Sequence, residues 1–199
     1  MILAHLRRSL ILGLVALVLT FAYAYLGTGV SQLFFKHQAD GSITPNGSVL
    51  IGQNWSSPKW FHGRPDDTGP YASAKTNPAG HPGDDPLVAN GAPGESGGTN
   101  LGPRSAKLVT FTEELVAYWH KLGVNPTPDL VTTSGSGYDP DISSQDAIVQ
   151  IPMVSKATGV SPSALRALIA RETNGEQLGF LGSSYIDVLQ LNEALAHLR

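Results

Sequence analysis

The chain has no cysteine at all. That excludes disulfide staples, cysteine-ligated zinc, iron–sulfur clusters and a thiol nucleophile. It leaves the redox compartment open, because a cysteine-free chain suits any of them. Charge is also scarce: 15% of residues are charged, against a usual value of about 25%. Thirteen Lys and Arg face sixteen Asp and Glu, a net charge of -3. Without a basic field, nucleic acid is not an expected partner. Hydrophobic residues reach 41% of the 199, so the chain can build a core and is not globally disordered. What is plentiful is glycine and proline, 22 and 14 residues. They are unevenly spread, and three segments of different character follow.

The first is apolar. No charge occurs in the 27 residues between Arg8 and Lys36. Its densest part, Leu10 to Leu26, carries ten Leu, Ile, Val or Phe in 17 positions. At about -0.3 to -0.6 kcal/mol each, these favour insertion by roughly 3 to 6 kcal/mol. Continuation to Leu33 supplies the ~20 residues that a spanning helix needs, so a transmembrane helix is expected over 10–33. Tyr23, Tyr25, Phe34 and Phe35 suit the far interface. Arg7 and Arg8 on the near side place residues 1–9 in the cytoplasm and 34–199 outside. The competing reading is a cleaved signal peptide, supported by the basic start and by Ala22-Tyr23-Ala24. Against it, the apolar stretch runs on past that site.

The second segment, Gly41 to Arg104, holds 12 Gly and 9 Pro in 64 residues. No helix of useful length survives that density. Ser48-Val49-Leu50-Ile51 reads as a strand and Trp60-Phe61 as an aromatic anchor. The rest is turn chemistry, a partly ordered loop suited to touching a partner. The third segment, 105–199, is helical in period. Leu108, Phe111, Leu115, Tyr118 or Trp119, and Leu122 make one amphipathic helix, ended by Gly123. Leu130-Val131-Thr132-Thr133 reads as a short strand. Ser143 and Asp146 have capping-box spacing ahead of a helix kinked by Pro152. Ser161-Pro162 opens a third helix. Asp187 caps a last one with Val188, Leu191, Leu195 and Leu198 on its stripe. The expected class is α+β: one N-terminal transmembrane helix, then a single domain with a Gly/Pro-rich half over 41–104 and a mainly helical half over 105–199.

Catalytic signals are thin. Gly94-Glu95-Ser96-Gly97-Gly98 matches the nucleophile-elbow pattern, but lacks the strand before it and the helix after it. Gly135-Ser136-Gly137 could cradle an anion on its N–H groups, yet completes no phosphate-binding motif and reads as a turn. Asp139 and Asp141 flank Pro140 ahead of a helix, where carboxylates sit well with the helix dipole. His62, Asp66 and Asp67, with His81, Asp84 and Asp85, fit no metal-ligand spacing. Asn46-Gly47-Ser48 and Asn54-Trp55-Ser56 are sequons, meaningful only where glycosylation operates.

An ordered set of short motifs is far more specific. Ala39-Asp40-Gly41-Ser42 follows the apolar segment. Then come Leu50-Ile51-Gly52-Gln53-Asn54, Trp60-Phe61-His62-Gly63-Arg64-Pro65 and Ser96-Gly97-Gly98-Thr99-Asn100-Leu101. Asp129-Leu130-Val131-Thr132-Thr133-Ser134-Gly135-Ser136-Gly137, Asp139-Pro140-Asp141-Ile142-Ser143 and Leu189-Gln190-Leu191-Asn192 complete it. In this order, behind one anchor, the chain resembles the C subunit of the Kdp potassium-transporting ATPase. The resemblance implies a single-pass accessory subunit of a bacterial plasma-membrane pump, not itself an enzyme. Its implied partners are a potassium-channel-like subunit, a P-type ATP-hydrolysing subunit and a small one-helix subunit, with membrane lipid around the anchor. It also implies a role in assembly and a proposed increase in the pump's ATP affinity; ATP enters only through the resemblance. No catalytic residue and no metal ligand are expected. The partner-contact candidates are Gln53, Asn54, Phe61, His62, Arg64, Ser96, Asn100, Ser134, Ser136, Asp139 and Asn192. Two departures stand out: Met153 where the family usually has Arg, and Gly182-Ser183-Ser184 where it usually has Gly-Glu-Pro. The alternative is a free exported hydrolase or binding protein using Ser96 or Ser136, neither of which has an activating His–Asp context in sequence.

Overall fold

The structure is a computed structural model that describes residues 2–53, 55, 57–65 and 98–198. It divides into two units, 1–45 and 46–199.

The first unit is dominated by α1, Ile2–Phe34, 33 residues long. At about 1.5 Å per residue it spans roughly 50 Å. It starts earlier than the expected residue 10 and takes in Arg7 and Arg8. None of its side chains is buried by protein. Both of its threonine hydroxyls are satisfied within the helix: Thr20 Oγ1 donates to the Ala16 carbonyl and Thr28 Oγ1 to that of Ala24, both at 2.9 Å. This lets the segment meet hydrocarbon with no orphaned donor at those positions. Among the described residues, α1 is the one helix long and apolar enough to cross a membrane. A short α2, Lys36–Ala39, follows, with Lys36 Nζ 2.7 Å from Asp40. A two-residue strand, β1 (Ile43–Thr44), lies near the end of the unit.

The second unit begins with β2, Gly47–Ser48. Its body is α3 (Ala106–Lys121), a 3-10 turn (Asp129–Val131), β3 (Asp141–Ile142), α4 (Ser144–Thr158), α5 (Pro162–Glu172), β4 (Ile186–Asp187) and α6 (Val188–Ala196). The class is α+β, helix-rich with few strands. β3 and β4 pair antiparallel, Asp141 opposite Asp187 and Ile142 opposite Ile186. α4 packs on α5 and α5 on α6. Trp119, Leu130, Leu165, Leu168, Leu191 and Leu195 form the fully buried centre. Each such side chain contributes about 1.5–3 kcal/mol of transfer free energy.

The helix starts behave as their sequences dictate. Ser143 Oγ accepts from the Asp146 N–H at 3.1 Å, and Asp146 Oδ2 accepts from the Ser143 N–H at 2.8 Å, closing a capping box. Ser161 caps α5 ahead of Pro162, and Asp187 caps α6 through the Gln190 N–H at 2.7 Å. α4 ends on Gly159 in the left-handed region, φ 77°. It runs through Pro152, whose ring faces solvent.

Two strand expectations are corrected. Residues 49–51 lie outside any strand, and Leu50 is 56% exposed, so no cross-strand burial rewards pairing there. Residues 130–133 also form no strand. Pro128 starts a 3-10 turn instead, the Val131 N–H and Thr132 Oγ1 both donate to its carbonyl, and Trp119 Nε1 donates to the Leu130 carbonyl at 3.0 Å. The carbonyls of Thr132 and Thr133, which a ladder would use, accept from Arg64. In α3 the stripe is buried at Leu115 and Trp119 and only partly at Leu108, Phe111 and Leu122. α6 stops at Ala196, leaving Leu198 beyond it and 44% exposed.

Candidate functional site

The most organised constellation is built around Phe61, His62 and Arg64. Residues 57–65 belong to no strand, so their backbone groups need other partners. Two side-chain amides supply them. The Phe61 N–H donates to Asn192 Oδ1 and Asn192 Nδ2 donates back to the Phe61 carbonyl, both at 2.8 Å. The His62 N–H donates to Gln150 Oε1 at 2.8 Å, and Gln150 Nε2 donates to the His62 carbonyl at 3.0 Å. Each amide thus mimics one rung of a β-ladder, one from α6 and one from α4. Phe61, His62, Gln150 and Asn192 are all completely buried.

The His62 ring lies 5.4 Å from Trp119. Its Nε2 is 3.2 Å from the Ser57 carbonyl, which can only accept, so Nε2 carries the proton. Nδ1 is buried and has no hydrogen-bond partner among the described residues. Burial pushes the imidazole down to about 4, against a smaller opposing pull from the Ser57 carbonyl, so the ring is neutral at ordinary pH.

Arg64 makes a fork. Nη1 reaches Asp139 Oδ2 at 3.3 Å, while Nη2 donates to the carbonyls of Thr132 and Thr133 at 3.3 and 3.4 Å. Asp129 Oδ1 stands 3.9 Å from Nη2. One guanidinium therefore joins the 3-10 turn, the stretch after it and the Asp139-Pro140-Asp141 corner. Asp139 uses its other oxygen on the Asp141 N–H. This is local tethering rather than the dipole role expected from sequence. The α4 terminus takes its carboxylate from Asp146 instead.

Gln53, Arg64 and Asp139 share the wall of a cavity of about 10 Å³. That is water-sized and too small for any ligand. Gln53 donates to the Ser48 carbonyl at 3.0 Å and lies where a Cβ on Gly47 would project, at a φ of 147° that favours glycine. Ser134 and Ser136 form a turn: Ser134 Oγ accepts from the Gly137 N–H, Ser136 Oγ accepts from the Tyr138 N–H, and the two hydroxyls are 3.1 Å apart. Of the N–H groups that were candidates for an anion cradle, that of Gly137 is thereby engaged within the turn. Asn100 is exposed, in the left-handed region at φ 53°, with Nδ2 bonded to the Gly98 carbonyl. Asn54 and Ser96, with Asp66, Asp67, His81, Asp84 and Asp85, lie outside the described residues.

Sequence reasoning did not single out Gln150. The signal was available: a polar residue on the apolar face of α4, between Ala147 and Ile151 in the helical stripe. It also passed over the Asp141–Asp187 pair, whose carboxylates line an open groove of about 330 Å³ with Tyr185, Asn174 and Gln190. Burial, and then the charges of Asp139 and Asp187, push Asp141 up to about 6. Asp187 is raised as well, by burial above all.

With this geometry in view, the comparisons decide the family. The family model described as K+-transporting ATPase, c chain, matches residues 6–197. The chain belongs to that family. It is 40% identical over 207 aligned positions to the Potassium-transporting ATPase KdpC subunit of Methylobacterium nodulans, covering 98% of both chains. The protein of the same name from Sorangium cellulosum is 39% identical, with 97% of each covered. That of Caulobacter vibrioides is 37% identical, over 97% of this chain and 93% of its own. Within the family pattern, Met153 is buried in the core, so the position packs here rather than presenting a charge. Gly182 takes φ 78° and keeps the turn before β4.

Proposed function

We propose that the chain is an accessory, non-catalytic subunit of a bacterial ATP-driven potassium uptake pump. The family match over residues 6–197 carries this reading. In it, α1 is retained as a single-pass anchor in the plasma membrane, with residues 1–9 in the cytoplasm and 34–199 outside. The potassium-channel-like subunit, the P-type ATP-hydrolysing subunit and the small one-helix subunit are the partners. The chain stabilises their assembly. The free hydrolase alternative finds no support at Ser136, whose hydroxyl serves the backbone of its own turn.

Phe61, His62 and Asn192 spend their polar groups inside the domain. Their part in docking is therefore to hold the surface in shape. Any influence on ATP use is an indirect coupling between contacts outside and conformations of the catalytic subunit inside. It is bounded by the differential affinity for those conformations, about 1–3 kcal/mol.

Purification of the tagged full-length chain in mild detergent, with mass spectrometry of what co-elutes, tests the assignment. The P-type and channel-like polypeptides are expected in stoichiometric amounts, and their absence overturns it. Alkaline phosphatase fused after Arg199 is expected to be active, and the membrane-bound chain to keep its first 24 residues. Titration calorimetry of the chain alone with ATP is expected to show no submillimolar binding.

A further inference from the structure

A guanidinium carries N–H donors at all three nitrogens and no acceptor. In Arg64, Nη1 and Nη2 hold oxygens of Asp139, Thr132 and Thr133. Nε is shut off from solvent and has no hydrogen-bond partner among the described residues. A buried charged donor left unpaired is costly, and native structures rarely keep one. A swing of the side chain to relieve it would break the bonds that Nη1 and Nη2 already make.

The cavity that Arg64 lines is a second, independent observation. Its volume is about 10 Å³. A single water needs about 10–15 Å³ and two to four polar partners. The wall offers Arg64 as donor, with Gln53 and Asp139 as acceptors. Asp139 engages each carboxylate oxygen once, Oδ2 with Arg64 Nη1 and Oδ1 with the Asp141 N–H, and each oxygen can accept again. Ile51, Pro140, Val188 and Leu189 make the rest of the wall largely apolar. Gln53, Arg64, Asp139 and Leu189 stand in four separate motifs of the sequence, and they share this wall.

Size and charge together select the occupant. An anion there would meet the Asp139 carboxylate, and a cation would meet the Arg64 guanidinium. An apolar group would leave Nε unpaired. Water is small enough, and it both accepts and donates, so it can serve the guanidinium and the carboxylate at once.

We propose that this cavity is the binding site of one structural water, which accepts from Arg64 Nε, donates to Asp139 and Gln53, and so joins the Arg64 tether to the 51–53 stretch. The test uses the full-length chain in detergent with isotope-labelled arginine. The Arg64 Nε–H resonance is identified by its loss in Arg64→Lys. Rotating-frame NMR is expected to show direct cross-relaxation between that proton and water, opposite in sign to chemical exchange. Absence of that signal, or a through-bond coupling from the Nε–H to a protein carbonyl or carboxylate, overturns the proposal. Gly63→Ala gives a second reading. Gly63 lines the cavity beside Val188, its φ lies outside the left-handed region, and a Cβ on it would meet only Val188 Cγ2, at 3.8 Å. The added methyl group takes the room of the water without a clash. With a bound water, the variant should lose the water signal and melt about 3 °C below wild type, the effect of one stranded charged donor less the gain from replacing glycine. A dry cavity predicts the opposite sign, a rise of about 2 °C on filling it. An unchanged or raised melting temperature, or a water signal that survives the methyl group, overturns the proposal.

Discussion

Replacing Gln150 with Met tests whether the side-chain amides hold the glycine-rich segment in place. Methionine keeps the length and most of the volume, so the cavity cost is small. What it removes is the reciprocal pair with the His62 backbone, bonds of 2.8 and 3.0 Å in a completely buried place. The His62 N–H and carbonyl then stay buried without partners, at about 1–3 kcal/mol each. The third bond of the amide, to the Asp146 carbonyl at 3.2 Å, matters less because that oxygen lies within the ladder of α4. The sum is about 4 kcal/mol. For a domain of this size each kcal/mol moves the melting temperature by about 2–4 °C, so a fall of about 10 °C is expected. Near-ultraviolet circular dichroism of the full-length chain in detergent reads it, because Trp119 packs against His62. The same melt on Asn192→Leu, which strands the Phe61 backbone, should give a comparable fall. A fall below about 3 °C in Gln150→Met would show that the two rungs are dispensable and refute the reasoning.

Arg64→Lys should lower the melting temperature by about 5 °C, corresponding to a loss of about 2 kcal/mol, because one ammonium cannot serve Asp139 and two carbonyls in different directions; a melt identical to wild type would remove Arg64 as a tether. Asp141 titrates near 6 instead of 3.8, so the stability tied to its protonated form is fully present below 3.8 and lost as pH rises through about 6. About 2 units would be worth about 3 kcal/mol, and screening at this half-exposed site cuts that to about 1 kcal/mol. Asp141→Asn should therefore melt about 3 °C above wild type at pH 7.5 and match it near pH 4; a difference that does not change with pH would be the wrong result. His62 works in the opposite sense. Its lowered value means that the unfolded chain takes up a proton below about 6.5 while the folded chain resists it until about 4, so stability falls across that window. The Asp141→Asn melts should accordingly drop more steeply than wild type between pH 6.5 and 4.

The parts of the fold legible in the sequence are those decided over four residues or fewer. Ser143 and Asp146, Ser161 and Pro162, and Asp187 each announce a helix start, and each is a cap in the structure. The apolar run of α1 is far longer, but it is contiguous in sequence and so just as legible. The strands at 48–51 and 130–133 were misread because a short apolar run shows propensity but not whether a pairing partner exists. In the second case the carbonyls go to Arg64, 68 and 69 residues earlier in the chain. Phe61, His62, Arg64, Asp139 and Asn192 were marked by their motifs, while their partnerships were not. The bond from Phe61 to Asn192 spans 131 residues and that from His62 to Gln150 spans 88. An amide that mimics a β-rung has no spacing signature.

This mode of holding the segment bears on how an accessory subunit could influence a pump. A glycine-rich stretch tied only by its own turns would be too soft to relay a displacement. Here residues 61–64 are bonded at one end to α6 through Asn192 and to α4 through Gln150. At the other end, Arg64 binds the 132–133 backbone and the Asp139 corner. The 130–137 turn and the last helix are thus linked through residues 61–64, by the main chain of Phe61 and His62 and the side chain of Arg64, rather than merely lying in one domain. Under the proposed function, these elements would move as one body against the partner. Coupling would then depend on the contacts that body makes in each pump conformation and not on bending within it. Loosening the link, as Gln150→Met or Arg64→Lys does, should weaken any effect on ATP use in step with the loss of domain stability.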